Sequence, residues 1–177
     1  MVTMAVEEHV ALDLAELEAA ASAVPDPELP VVTLGDLGIV RGVALADDGA
    51  VEVSLTPTFV GCPATEAIAA DVRAAVGARV PDAEVRTRTV MSPPWTTDWI
   101  SADGRRKLAE HGIAPPTGQA RHTGPVAVTI GRAPAVRSCP RCGSTETREL
   151  SAFGSTPCQS LRACRACGEP FGAMKSL

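Results

Sequence analysis

Two Cys-x-x-Cys-Gly segments near the C-terminus constrain this chain more than any other feature. They are Cys139-Pro140-Arg141-Cys142-Gly143 and Cys164-Arg165-Ala166-Cys167-Gly168. A two-residue gap lets both sulfurs of a pair face one ion, and the following glycine lets the backbone turn toward them. Two such knuckles, 21 residues apart, complete a tetrahedral four-sulfur site with a short hairpin between them. A tail this small has little core, so metal binding has to supply much of its folding free energy. Structural Zn²⁺ is the default expectation, although iron or an iron–sulfur cluster also suits four thiolates. Cys-x-x-Cys serves thiol exchange as well, but two pairs at ribbon spacing argue for metal. Four protein ligands leave no open coordination position, so the expected role is structural or docking.

The remaining residues have to form a core from aliphatic side chains. Hydrophobic residues make up 45% of the 177, aromatics only 3%, and Tyr is absent. That length allows one ordinary domain plus a small one. No apolar run approaches the roughly 20 residues that span a bilayer. The acidic N-terminus (Glu7, Glu8, Asp13) lacks a basic n-region, so the expectation is a soluble, cytoplasmic protein without a secretory signal. That compartment also argues against disulfides among the six cysteines, five of which fall in the last 39 residues.

The hydrophobic pattern predicts an α+β body. Val10, Leu14, Leu17, Ala21 and Val24 make one stripe of a helix over 9–24, stopped by Pro25, Pro27 and Pro30. Alternation predicts a hairpin of 39–45 and 51–56 around Asp47-Asp48-Gly49. A second helix is expected to open at Gly61-Cys62-Pro63, with Cys62 as its N-cap, and to bury Ala64, Ile68, Val72, Ala75 and Val76. A third strand follows at 85–90, and a short helix at 101–111. Residues 114–136 are rich in Pro, Gly and Ala and read as a linker with one strand at 126–130. The organisation is thus a body over 1–113, a linker over 114–136 and a four-cysteine ribbon over 137–177.

Three further positions offer chemistry. At a helix start, backbone N–H groups and the dipole would favour a Cys62 thiolate; a small buried side chain is the plainer reading. Asp26 and Glu28 look exposed in a proline-rich loop, where turn formation explains them equally well. For Cys158, a plain buried cysteine, a ligand at a second site and a replacement ribbon ligand are all compatible with its position. His9, His111 and His122 are scattered and read as solvated.

Asp26-Pro27-Glu28-Leu29-Pro30, Asp36-Leu37-Gly38-Ile39-Val40 and Thr56-Pro57-Thr58-Phe59-Val60-Gly61-Cys62-Pro63 together resemble the DUF59 (MIP18-like) family of iron–sulfur assembly factors. Met91-Ser92-Pro93-Pro94-Trp95-Thr96-Thr97-Asp98-Trp99-Ile100-Ser101, and Phe153 to Cys158 ahead of the second knuckle, narrow the resemblance. The combination looks like the PaaD family of the phenylacetyl-CoA epoxidase system. Val60 departs from the small residue common there.

The resemblance implies a MIP18-like domain, with helices on a sheet of three or slightly more strands, and a zinc ribbon. It implies an accessory protein of aerobic phenylacetate degradation that matures the iron or iron–sulfur centres of the epoxidase complex and does no oxygen chemistry itself. Cys62 would transiently hold iron or a cluster, with Asp26 or Glu28 shaping the site. The epoxidase components, including the iron–sulfur reductase, would be the partners. The chain lacks the Glu-x-x-His pairs of di-iron bundles and a Gly-x-Gly-x-x-Gly dinucleotide loop.

Two alternatives remain. One is a structural subunit of the oxygenase with no transfer role. The other is a ribbon that grips nucleic acid through Arg137, Arg141, Arg148, Arg162 and Arg165. The last 46 residues carry seven Lys/Arg against three Asp/Glu. The net charge of −5 and the scarcity of aromatics to stack bases oppose that reading.

Overall fold

The computed structural model describes residues 13–59, 61–117 and 136–176. Helix α1 spans Leu14–Ser22, with Asp13 accepting from the Ala15 and Glu16 amides. It buries Leu17 and Ala21, whereas Leu14, at its exposed start, does not join the stripe. Val10 lies outside the described residues. The proline loop folds back on itself: Asp26 N–H donates to Val32 O and Leu34 N–H to Val24 O.

That turn delivers a helix the hydrophobic pattern does not announce, α2, Leu34–Leu37. Four residues are too few to show a period. The signal is its capping box, in which Thr33 and Asp36 satisfy each other's amides. The C-cap Gly38 has φ 68°, and a Cβ there would sit 2.7 Å from the Cβ of Trp99, so only glycine fits.

Strands β1 (Val40–Leu45) and β2 (Val51–Leu55) form the expected antiparallel hairpin. Helix α3 (Thr65–Gly77) then crosses over to β3 (Val85–Thr89), which pairs parallel to β2. The sheet order is β1-β2-β3. Val51, Val53 and Leu55 of β2 and Ile68, Val72 and Val76 of α3 share one core with Leu17 and Ala21. Helix α3 starts later than expected. Its N-cap is Ala64, without a side-chain cap, and Cys62 lies in the turn before it.

After a short 3₁₀ turn at Thr97–Trp99, helix α4 covers Ala102–Glu110. Asp36 ties α4 to α2. Its carboxylate meets Lys107 Nζ at 2.8 Å and Ser101 Oγ at 3.2 Å, and Trp95 Nε1 donates to Leu37 O at 2.8 Å. Strand β4, Ile113–Ala114, follows α4 directly and straddles the expected start of the linker.

The ribbon adds β5 (Thr147–Ser151), β6 (Gln159–Cys164) and β7 (Pro170–Met174), in the order β4-β7-β6-β5. The body therefore lends the ribbon an edge strand, with Ile113 opposite Gly172 and Ala114 opposite Ala173. In return, Met174 of β7 enters the body core. Arg105 holds the joining segment through Pro116 O and Thr97 O. Buried Arg137 donates to Thr117 Oγ1, Met174 O and Ser176 Oγ. The strand expected at 126–130 lies outside the described residues. Among the described residues no helix is long and apolar enough to cross a membrane.

Burial pushes the Asp36 carboxyl up, but the bonds from Lys107, the Thr33 amide and Ser101 outweigh it and leave the pKa below the usual aspartate value. Its stabilising contribution is therefore complete at neutral pH and is lost as pH falls through that lowered value. Asp36→Ala removes the cap and the charged bonds, an expected cost of about 2–4 kcal/mol. Urea unfolding at pH 7 should show this loss, and the gap to the parent should narrow in acid. An equal gap at both pH values would contradict this account of Asp36.

Candidate metal centre and the Cys62 cavity

The two knuckles repeat one hydrogen-bond pattern. Cys139 N–H donates to Ser144 O and Gly143 N–H to Cys139 O; Cys164 N–H donates to Glu169 O and Gly168 N–H to Cys164 O. Gly143 (φ 73°) and Gly168 (φ 78°) take the left-handed conformation that this turn requires. The four ligand sulfurs of Cys139, Cys142, Cys164 and Cys167 consequently lie within 4.8 Å of one another. Cys139 and Cys167 sulfurs are 3.8 Å apart, Cys142 and Cys164 3.6 Å. Sulfurs at the corners of a tetrahedron around a metal about 2.3 Å away are about 3.8 Å apart. The spacing thus fits one metal ion and is far too long for a disulfide.

Two of the thiols register this crowding, in opposite directions. Amide donors, that of Cys167 foremost, pull the Cys164 thiol down to about 7. The Ser144 amide acts the same way on Cys142, but the crowding thiols of Cys167 and Cys164 override it and push Cys142 up to about 12. Four thiolates at this spacing repel one another until a cation neutralises them, so the donor set fits a metal-binding site.

The body holds a second site. A cavity of about 40 Å³ is lined by Asp26, Cys62, Thr58, Thr65, Thr87 and Thr89 over a floor that includes Ile39, Leu55 and Ile68. Organic ligands need several hundred Å³; this space suits an ion or a water or two. Thr87 and Thr89 reach it because they share one face of β3, a period-two signal hidden by the arginines alternating with them.

Two expectations need correction here. Asp26 is buried, at 8% exposure, because its Oδ1 accepts from the Glu28 and Leu29 amides at 2.9 and 2.8 Å. Glu28 remains exposed. The Cys62 thiol is not held as a thiolate by the helix start. Burial raises its pKa, the Ala64 amide lowers it, and the negative charges of Glu28 and Asp26 raise it further. Desolvation and carboxylates outweigh the amide.

Cys158 is outside the four-sulfur set. It is half-buried and packs against the body core, as does Cys62. Burial pushes its thiol up, a contact to the Thr156 hydroxyl at 3.0 Å lowers it, and Asp26 and Cys62 raise it. The structure thus brings Cys158 toward Asp26 and Cys62. The sequence leaves it unassigned, since nothing in Thr156-Pro157-Cys158 tells which body residues it will meet.

His111 is exposed and its Nδ1 lies 3.0 Å from Lys107 O at the end of α4; His9 and His122 lie outside the described residues. Of the arginines that suggested nucleic acid, Arg137 and Arg162 are buried and Arg141 pairs with Glu169 at 2.7 Å. Three of the five charges are therefore not free to meet phosphates.

Two family profiles match separate segments of the chain. A family profile described as "Iron-sulfur cluster assembly protein" matches residues 14–87, and one described as "PaaD zinc beta ribbon domain" matches residues 122–175. The chain is 42% identical over 162 residues to the Escherichia coli (strain K12) protein named as the D component of 1,2-phenylacetyl-CoA epoxidase, covering 92% of each. It is 35% identical over 83 residues to an Fe-S protein maturation auxiliary factor of Porphyromonas gingivalis (strain ATCC BAA-308 / W83), covering 47% of this chain and 78% of that one. A further Fe-S protein maturation auxiliary factor, from Bacillus subtilis (strain 168), is 39% identical over 80 residues, covering 44% and 76%.

The raised thiol makes a prediction. Alkylation of Cys62 by iodoacetamide, followed by mass spectrometry of its peptide, should have a midpoint above the usual cysteine range. Glu28→Gln removes a negative charge that disfavours the thiolate, so it should move the midpoint down. The shift should be larger at low salt, because Glu28 is exposed and screened. A midpoint indifferent to Glu28→Gln would show that this carboxylate does not act on the thiol.

Proposed function

The chain belongs to the PaaD family of phenylacetyl-CoA epoxidase components, and on that premise we propose that it is a non-catalytic accessory protein that matures the iron or iron–sulfur centres of such an epoxidase complex. The observation that carries this reading is one small cavity shared by Cys62 and Asp26, in the segment matched by the iron–sulfur assembly profile. A cavity of about 40 Å³ has no room for an acyl-CoA or an aromatic ring, but it has room for an ion.

In this reading iron is cargo. Cys62 supplies a thiolate, which suits iron, and Asp26 supplies a carboxylate oxygen. Asp26 Oδ1 is already committed to two amides, so metal contact falls to Oδ2. Exposed Glu28, whose charge acts on Cys62, adds negative charge that attracts the cation. The raised pKa of Cys62 has a use in such a carrier. The empty thiol keeps its proton and resists oxidation; iron displaces the proton on arrival, and reprotonation favours release to a client.

The ribbon holds the second metal, which we assign as Zn²⁺. Four thiolates close its coordination sphere, so it is a structural site rather than a transfer site. It carries the exposed apolar residues Leu150, Phe153 and Leu161, which suit contact with an epoxidase component. The iron–sulfur reductase is the partner whose cluster matches the cargo.

A maturation factor and a structural subunit differ in when they are needed. Epoxidase components produced without this chain, or with its Cys62→Ser variant, should be iron-poor and at least tenfold less active. Components matured beside the parent chain and then purified away from it should keep full activity. Loss of activity on that removal, restored by adding back Cys62→Ser, would establish a structural subunit instead.

A further inference from the structure

Cys158 stands on the ribbon but belongs to no knuckle. Its loop is fixed. Gln159 N–H donates to Thr156 O, Gly154 N–H to Gln159 O, and Lys175 N–H to Cys158 O at 2.9 Å. Lys175 Nζ also donates to Pro157 O at 2.6 Å. Thr156 and Gln159 are buried, and Met174, next to Lys175, is inserted in the body core. The loop therefore cannot swing freely relative to the body. Across a groove between the two units it faces the acidic loop: Glu28, Leu29 and Val31 form one wall, Gly154, Ser155 and Gln159 the other. Cys158 and Cys62 pack on the same core, and the Asp26 carboxylate is near enough to both thiols to act on their charge.

We propose that Cys158 is a second thiolate ligand for the iron cargo of Cys62, so that body and ribbon each contribute one sulfur to a site completed by Asp26. This rests on the accessory iron-handling reading above. A lone thiolate and a carboxylate hold Fe(II) weakly; two thiolates make the site selective for soft, thiophilic metal. Among the described residues, the ribbon sulfurs are the only set of three or more candidate ligands already within 4.8 Å of one another. The Cys62–Cys158–Asp26 set is more open, which suits an ion that is taken up and then released. Both thiols lose a proton on binding and no electron is transferred. Loading is thereby coupled to ribbon docking: a ribbon without its own metal would not present Cys158.

The test uses the full chain, zinc-loaded and free of air, with Co(II) as a spectroscopic stand-in for Fe(II). Each thiolate contributes to the sulfur-to-cobalt absorption. The parent should bind one Co(II) beyond its zinc. Cys62→Ser and Cys158→Ser should each lower the absorption per bound ion by about half and weaken binding tenfold or more, with zinc content and circular dichroism unchanged. Weakening by Cys62→Ser alone would overturn this inference and leave the proposed function standing. Indifference to Cys62→Ser, or no cobalt uptake by the parent, would overturn both. Should Cys158→Ser fail to fold, dibromobimane decides on the parent protein. A Cys62–Cys158 bridge, mapped by mass spectrometry, supports the shared site, and separate labelling of the two thiols overturns it.

Discussion

Four sulfurs drawn to within 4.8 Å of one another are the constraint on which the C-terminal half depends. Without a cation, thiolates at that spacing repel; with one, they close a loop of the chain that has little core to close it otherwise. The consequences run beyond the knuckles. β6 enters one knuckle through Cys164 and β7 leaves it, so the knuckle turn sets the register of these two strands. β7 then pairs with β4 of the body and sends Met174 into the body core. The loop that carries Cys158 joins β5 to β6 and is tied to Lys175, just past the end of β7. A metal site in the tail thus decides where a thiol stands relative to a cavity in the body.

The body has its own organising contact, the Asp36 carboxylate. It caps α2, pairs with Lys107 and bonds Ser101, so one side chain fixes a turn and the start of α4. Little of this is legible in the sequence. Periodicity marks long elements, and it marks β1, β2 and α3 well. It does not mark α2, whose four residues show no period, nor β4, whose two residues become a strand only because β7 is there to receive them. The same limit applies to Leu14, which fits the apolar stripe but is exposed at the helix start.

The site is legible in its ligands and not in its environment. Spacing puts four cysteines around one metal, because knuckle geometry is local. Asp26 looks exposed because it lies among prolines, but the turn it caps from within buries it. Cys62 looks activated because a helix follows it; α3 begins at Thr65, and desolvation prevails over the single amide that reaches the sulfur. Cys158 cannot be placed from its sequence at all, since its neighbours come from a strand pairing between distant segments. Burial and long-range contact are the properties that a linear pattern does not encode.

In the proposed reading the chain has two places for thiophilic metal, the closed four-cysteine site and an open one at the small Cys62 cavity. On that proposal the closed site would hold the fold, and the open one would take up an ion and give it away. The most direct measurement of that distinction is metal counting after reconstitution with iron and sulfide under nitrogen, on the zinc-loaded parent and on Cys62→Ser. The account predicts equal zinc in both, with iron and visible absorbance in the parent alone. Zinc without iron in both proteins would contradict it and leave metal to the ribbon alone.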